Sequence, residues 1–146
     1  MRTLVIGYGN PLRRDDGAGP EAARRLAGMQ PPGVVVVEAH QLLPEHAELL
    51  SRVRRAVFVD ASAEEGLEEV RLQPVEPAAG AGLDPHVSDP GRLLALAAEL
   101  FGNAPEAWML RLPAADFGIG EGLSPTAEAA VREAVARLAD FCAAAK

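Results

Sequence analysis

Cysteine is almost absent from this chain, since Cys142 is the single cysteine among 146 residues. One thiol excludes an internal disulfide, and it excludes any zinc or iron–sulfur site built from several thiolates. Cys142 falls on the apolar face of a predicted helix, so we expect it to be a small buried hydrophobic residue.

The sequence also lacks a long apolar run and an excess of basic residues. No apolar stretch approaches the roughly 18 residues that a membrane span needs, and the first residues contain nothing like a signal-peptide cleavage site. The net charge of −7 and the pI near 4.9 argue against nucleic acid, because a phosphate backbone binds basic surfaces. We therefore expect a cytoplasmic protein that binds neither nucleic acid nor a membrane.

The apolar residues, 49% of the chain, are enough for a single domain covering residues 1–146. Predicted strands alternate with predicted helices, which is typical of an α/β fold: a mostly parallel sheet with helices on both faces, in three layers. The β-branched run 34–37 predicts a central strand, and the alternating segment 69–72 predicts an edge strand. The other predicted strands cover residues 3–6, 56–59 and 107–112.

The predicted helices have recognisable starts. One begins near Gly19-Pro20 and turns Ala23, Leu26 and Ala27 inward, and a short one covers 44–52. Asp89 and Ser124 are predicted N-caps, each followed by a proline at the first helical position, and Gly102 ends the helix that Asp89 begins. Between strand and helix, residues 74–85 form a long loop rich in proline and glycine, a type of loop that is often functional.

Ligand sites in parallel sheets lie at the carboxyl ends of the strands. The acidic residues Asp15 and Asp16 follow the first predicted strand and its glycine loop, Asp60 follows the third, and His86 lies in the long loop. An acidic pair before a helix commonly interacts with the helix dipole, and a lone loop histidine is usually just solvated. Together, Asp16, Asp60 and His86 would supply two oxygens and one nitrogen, a set that suits nickel, zinc or manganese.

The glycine loop Gly7-Tyr8-Gly9-Asn10-Pro11-Leu12 suggests a nucleotide-binding module as an alternative, with Glu38 as the ribose-binding acid. Three features weaken this interpretation: Leu12 replaces the third glycine, Pro11 removes an amide, and two carboxylates follow. The motifs His-Glu-x-x-His and Gly-x-Ser-x-Gly are both missing, so thermolysin-like and serine-hydrolase chemistry have no support in the sequence.

The segment Gly7-Tyr8-Gly9-Asn10-Pro11-Leu12-Arg13-Arg14-Asp15-Asp16-Gly17-Ala18-Gly19 resembles the opening signature of the hydrogenase maturation endopeptidases. These enzymes remove the C-terminal extension from the large subunit of nickel–iron hydrogenases. The resemblance extends over nearly the whole chain, through Val57-Phe58-Val59-Asp60-Ala61, Pro85-His86 and Gly120-Glu121-Gly122-Leu123-Ser124-Pro125-Thr126.

The resemblance implies a twisted, largely parallel five-stranded sheet and a metal site whose ligands match Asp16, Asp60 and His86. The metal would be the nickel already inserted in the large-subunit precursor, although other divalent metals could occupy the site. Either the metal activates water or polarises the carbonyl, or Asp16 or Asp60 acts as a general base. Asp15 would orient Asp16 or the glycine loop, and the amides from Gly7 to Asn10 would stabilise an oxyanion. A second alternative is a metal-sensing partner that keeps the fold without cleaving.

Overall fold

The computed structural model describes residues 3–64, 66–78 and 89–144. The strands are β1 (Thr3–Tyr8), β2 (Val34–Ala39), β3 (Arg55–Ser62), β4 (Arg71–Val75) and β5 (Glu106–Pro113). The α-helices are α1 (Ala18–Gly28), α2 (His46–Ser51), α3 (Pro90–Phe101) and α4 (Pro125–Ala143), and a 3₁₀ turn, Arg14–Gly17, precedes α1. Within these described ranges, no helix combines the length and the apolar character that crossing a membrane requires.

The strands form one sheet in the order β2-β1-β3-β5-β4. The first four strands in that order are parallel, and β4 runs antiparallel along β5. The prediction of a mostly parallel, five-stranded sheet is therefore confirmed. Its three inner strands are in register, so that Ile6, Phe58 and Met109 lie side by side.

Each face of the sheet is covered by a pair of helices. Side chains alternate between the faces along each strand, and Val5, Val57 and Leu110 are buried in one apolar cluster together with residues of α1 and α4. Their neighbours Phe58 and Met109 are buried in a second cluster, with residues of α2 and α3. The three-layer α/β architecture expected from the sequence is thus confirmed.

Two details of the predicted core are wrong. The strand predicted to be central, β2, lies at an edge of the sheet and is only half-buried. Both helical layers extend beyond β1 and cover β2. The side chains of its valines therefore pack alternately against the two apolar clusters. On α1, Ala27 is exposed, while Ala22 is buried beside Ala23 and Leu26.

The remaining element predictions agree with the structure, apart from small shifts in their ends. Asp89 accepts a hydrogen bond from the Arg92 amide at 2.9 Å, and the Ser124 hydroxyl accepts one from the Ala127 amide at 3.2 Å. Both predicted N-caps are therefore confirmed. The predicted edge strand is β4, which starts at Arg71 and runs through Pro74 into the predicted loop. Cys142 is buried, as expected.

Candidate functional site at the carboxyl edge of the sheet

Close backbone packing positions the loop that follows β1. Gly9 has a φ of +146°, and a Cβ at this position would overlap the backbone carbonyl of Asp16. Only glycine fits here without displacing the neighbouring turn. This close approach holds the 3₁₀ turn that carries Asp16 against the end of β1.

Asp16 is a half-buried carboxylate with one described hydrogen bond. Its Oδ2 accepts from the backbone amide of Asn10 at 2.7 Å. Within the described residues, no hydrogen bond reaches Oδ1. The side chain is therefore fixed by one oxygen and can use the other to bind a ligand.

Asp60 lies near the carboxyl end of β3, on the face covered by α2 and α3. Burial raises its pKa to about 7, and the charge of Asp16 adds to the effect. The Tyr8 hydroxyl, the Ala61 amide and the Arg111 guanidinium act in the opposite direction. A carboxyl group with a near-neutral pKa is suited to exchanging protons at neutral pH. The structure thus brings Asp16 and Asp60 to one edge, as the sequence predicted.

Two further side chains, Tyr8 and Arg111, belong to this edge and were missed in the sequence. Tyr8 ends β1 and packs on the α2/α3 face, where its hydroxyl is within hydrogen-bonding reach of Asp60. Burial, followed by the charge of Asp60, raises the pKa of Tyr8 above its usual value. Arg111 is the register partner of Asp60 on β5. The sequence did contain a signal for Arg111, which is a charged residue near the end of a mostly apolar strand. It lies two positions after Met109 and therefore on the same face of the sheet.

Asp15 has a different environment from its neighbour Asp16. It is fully buried, and its carboxylate accepts four hydrogen bonds, from the amides of Ala115, Asp116 and Ser124 and from the Ser124 hydroxyl, at 2.6–3.0 Å. Burial alone would raise the pKa of Asp15, but these hydrogen bonds outweigh burial and lower it. Asp15 therefore fastens the 3₁₀ turn to the loop after β5 and to the start of α4. This arrangement agrees with the orienting role that the sequence suggested.

The third predicted metal ligand, His86, lies outside the described residues. Within the described parts of the chain, no group of three or more His, Cys, Asp and Glu side chains is arranged to hold a metal. Asp16 and Asp60 provide carboxylate oxygens, the donor type that hard and borderline divalent metals accept. The three-ligand site remains a prediction.

The amides of the glycine loop already donate within the fold. The Gly9 amide donates to the Ala39 carbonyl at 3.0 Å, and the Asn10 amide donates to Asp16. Of the amides from Gly7 to Asn10 that were predicted to stabilise an oxyanion, these two are occupied within the fold. The nucleotide-binding alternative has the same difficulty, because these amides would have to bind the phosphate. In addition, Glu38, the predicted ribose-binding acid, forms an ion pair with Arg24 at 3.1 Å.

Solved structures of hydrogenase maturation proteases share this architecture. The HycI protease of Thermococcus kodakarensis has a TM-score of 0.75 and 20% identity, covering 97% of this chain and 92% of its own. The hydrogenase 2 maturation peptidase of a Thaumarchaeota archaeon has a TM-score of 0.74 and 24% identity, covering 98% and 99%. The HybD endopeptidase of E. coli has a TM-score of 0.73 and 20% identity, covering 94% and 90%.

No protein-family model matches the chain, and no curated protein has significant sequence similarity to it. The structural comparisons nevertheless confirm the resemblance that the motifs indicated. The chain has the fold of the hydrogenase maturation proteases over nearly its full length.

Proposed function

We propose that this chain is a hydrolase, an endopeptidase that removes the C-terminal extension from the large-subunit precursor of a nickel–iron hydrogenase after nickel insertion. The observation that supports this most strongly is the meeting of Asp16 and Asp60 at the carboxyl edge of the sheet, in a fold shared with hydrogenase maturation proteases. The sequence motifs at both positions resemble those of that family.

In this proposal, nickel belongs to the substrate and is the feature that the enzyme recognises. The free oxygen of Asp16 and the carboxylate of Asp60 would bind it, with the His86 imidazole as the third donor. A precursor without nickel would lack this contact, so cleavage would wait for metal insertion. Binding through the metal would also hold the scissile peptide beside the two carboxylates, a positioning contribution to catalysis.

Hydrolysis would use the same pair of carboxylates. One of them accepts a proton from the attacking water, and the proton is later passed to the leaving amine. Asp15 takes no part in the proton transfer, because its oxygens are occupied by four hydrogen bonds. It keeps the 3₁₀ turn, and with it Asp16, in place.

The test is a mass spectrum of a purified hydrogenase large-subunit precursor incubated with the full chain. Nickel-loaded and metal-free precursor are compared, each with and without enzyme. We expect a C-terminal peptide to be lost from the loaded precursor alone. Nickel-dependent co-elution without any mass change would instead indicate a metal-sensing partner, and cleavage of both precursors would refute recognition of nickel.

A further inference from the structure

A peptide hydrolase needs hydrogen-bond donors for the oxygen of the tetrahedral intermediate. Such donors are commonly backbone amides, and removing one typically costs about 10²–10³-fold in kcat. In this chain the amides of Gly9 and Asn10 are occupied by Ala39 and Asp16. These two amides are therefore not free to bind an oxyanion, and a side chain at the same edge is an alternative donor.

Arg111 is a cationic side chain beside Asp60. It is in register with Asp60 across β3 and β5, and neighbouring strands lie about 4.8 Å apart. Both side chains lie on the face of the sheet that bears Phe58 and Met109, since residues two positions apart share a face. The Arg111 charge acts on both Asp60 and Tyr8.

One nitrogen of the Arg111 guanidinium, Nε, has no hydrogen-bond partner among the described residues. This nitrogen is buried, and within the described ranges no carboxylate lies within 4.0 Å of it. The other half-buried arginines described, Arg25 and Arg55, both have partners. Arg25 binds Glu21 and Glu128, and Arg55 donates to the Phe141 carbonyl at 2.8 Å while stacking on the Phe141 ring.

An unsatisfied buried polar group destabilises a fold, and it does so more strongly when it is charged. Each such group in a folded protein calls for an explanation, and a role in catalysis is one of the recognised explanations. The location beside Asp60 and the missing partner are independent observations, and both indicate a ligand oxygen at this position.

We propose that Arg111 is a catalytic residue that donates N–H hydrogen bonds to the carbonyl oxygen of the scissile peptide and stabilises the oxyanion formed there. The inference rests on the proposed function. A guanidinium is suited to this role because it remains charged and presents several donors in a fixed plane.

The reaction balances without a further reactant. Water attacks the carbonyl carbon as a carboxylate of the Asp16–Asp60 pair takes its proton, and the carbonyl electron pair moves onto the oxygen facing Arg111. The oxyanion then collapses, the C–N bond breaks, and the carboxylate returns the proton to the amine. The products are the trimmed subunit and the released C-terminal peptide.

The test compares single-turnover and steady-state cleavage of nickel-loaded precursor by the wild type, Arg111→Lys and Arg111→Ala. Arg71→Ala is the matched control, because Arg71 lies directly opposite Arg111 on the edge strand β4 and its loss changes the charge equally. Free guanidinium is added to each protein at millimolar concentration, and melting temperatures are recorded in parallel.

We expect Arg111→Ala to lower kcat by about 10²–10³-fold with KM changed less than about threefold. Added guanidinium should restore part of this loss, Arg111→Lys should retain intermediate activity, and Arg71→Ala should stay close to wild type. A purely structural role for Arg111 would lower the melting temperature and give no rescue.

The proposal is overturned if Arg111→Ala keeps kcat within about threefold of wild type, or if lost activity tracks lost stability without rescue. These results would leave the proposed function intact, since the wild type still cleaves. A wild type that does not cleave loaded precursor would refute the proposed function, and this inference with it.

Discussion

Asp15 and Asp16 are adjacent in sequence and carry the same side chain, but the fold uses them in opposite ways. Asp15 is fully buried, and four donors surround its carboxylate. Asp16 is half-buried and accepts a single described hydrogen bond, from the Asn10 amide. The Asp15 carboxylate is occupied by hydrogen bonds within the fold. The Asp16 carboxylate keeps one oxygen without a described hydrogen bond at the edge of the sheet.

The difference shows how hydrogen bonds separate an acid whose oxygens are occupied within the fold from one with an oxygen free for a ligand. A carboxylate with four donors in place gains nothing from a ligand, and removing it leaves those donors unpaired. A carboxylate with a free oxygen next to a second acid costs some stability and can bind a metal or a proton. Substitutions at the two positions should therefore change different measured quantities.

The largest effect should be on activity, in Asp16→Asn. Asparagine keeps an oxygen for the Asn10 amide but loses the charge, so we expect cleavage of loaded precursor to fall by about 10³-fold with an unchanged melting temperature. Asp140→Asn makes the same change at an exposed site on α4 and should be fully active. If Asp16→Asn and His86→Ala both cleave normally, the site assignment is wrong.

The next largest effect should be on stability, in Asp15→Ala. Donors of Ala115, Asp116 and Ser124 lose their acceptor, and we expect the free energy of unfolding to drop by about 3 kcal/mol. Urea denaturation measures the loss, with Asp140→Ala as the control expected to change it little. A stable but inactive Asp15→Ala protein would show that Asp15 acts in catalysis.

Gly9→Ala should affect both quantities, because the added methyl group overlaps the Asp16 carbonyl. We expect a loss of about 2 kcal/mol in stability together with slower cleavage, as Asp16 is displaced. Gly122→Ala is the control, since Gly122 also has positive φ (+96°), but apart from its chain neighbours no described atom lies within 4 Å of its added Cβ. Equal activity in the two variants would mean that the close approach does not position Asp16.

The smallest effect should be a pH dependence that arises away from both aspartates, at His46. This ring is buried at the start of α2, and its Nδ1 accepts from the Leu43 amide at 3.0 Å. Burial lowers the pKa of His46, partly offset by Glu45, so the unfolded chain binds the proton more readily. His46 therefore contributes stability above its unfolded pKa near 6.5, and the contribution is lost as pH falls.

His46→Asn keeps an acceptor for the Leu43 amide and removes the titration. From pH 7 to pH 5, wild type should lose stability relative to His46→Asn, as measured by urea denaturation at each pH. Asp60, whose raised pKa acts with the opposite sign, is present in both proteins and cancels in the difference. A pH-independent difference would contradict this assignment.

Much of the fold follows from local sequence signals. Strand and helix alternation, and the caps at Asp89 and Ser124, act over a few residues and are visible in the sequence. Strand order is not local, so the edge position of β2 was missed although its valines were correctly assigned to a strand. The proline-rich segment after β4 and the ligand His86 remain predictions.

The candidate site, like the fold, was predictable where local signals determine it and not where strand register does. Asp16 and Asp60 follow from the rule that sites lie at the carboxyl ends of strands. Arg111 and Tyr8 were missed because their role depends on register with Asp60, which no local pattern encodes. That the Gly9 amide is occupied was missed because its acceptor, the Ala39 carbonyl, lies 30 residues away on another strand.

The hydrogen bonds of Asp15 also have a consequence for protein synthesis. They join a turn near the start of the chain to Ser124, 109 residues later. During translation, the turn that bears Asp16 therefore stays unfastened until residue 124 has left the ribosome and α4 can dock. The edge of the sheet that carries Asp16 is thus organised only after the start of α4 has been synthesised.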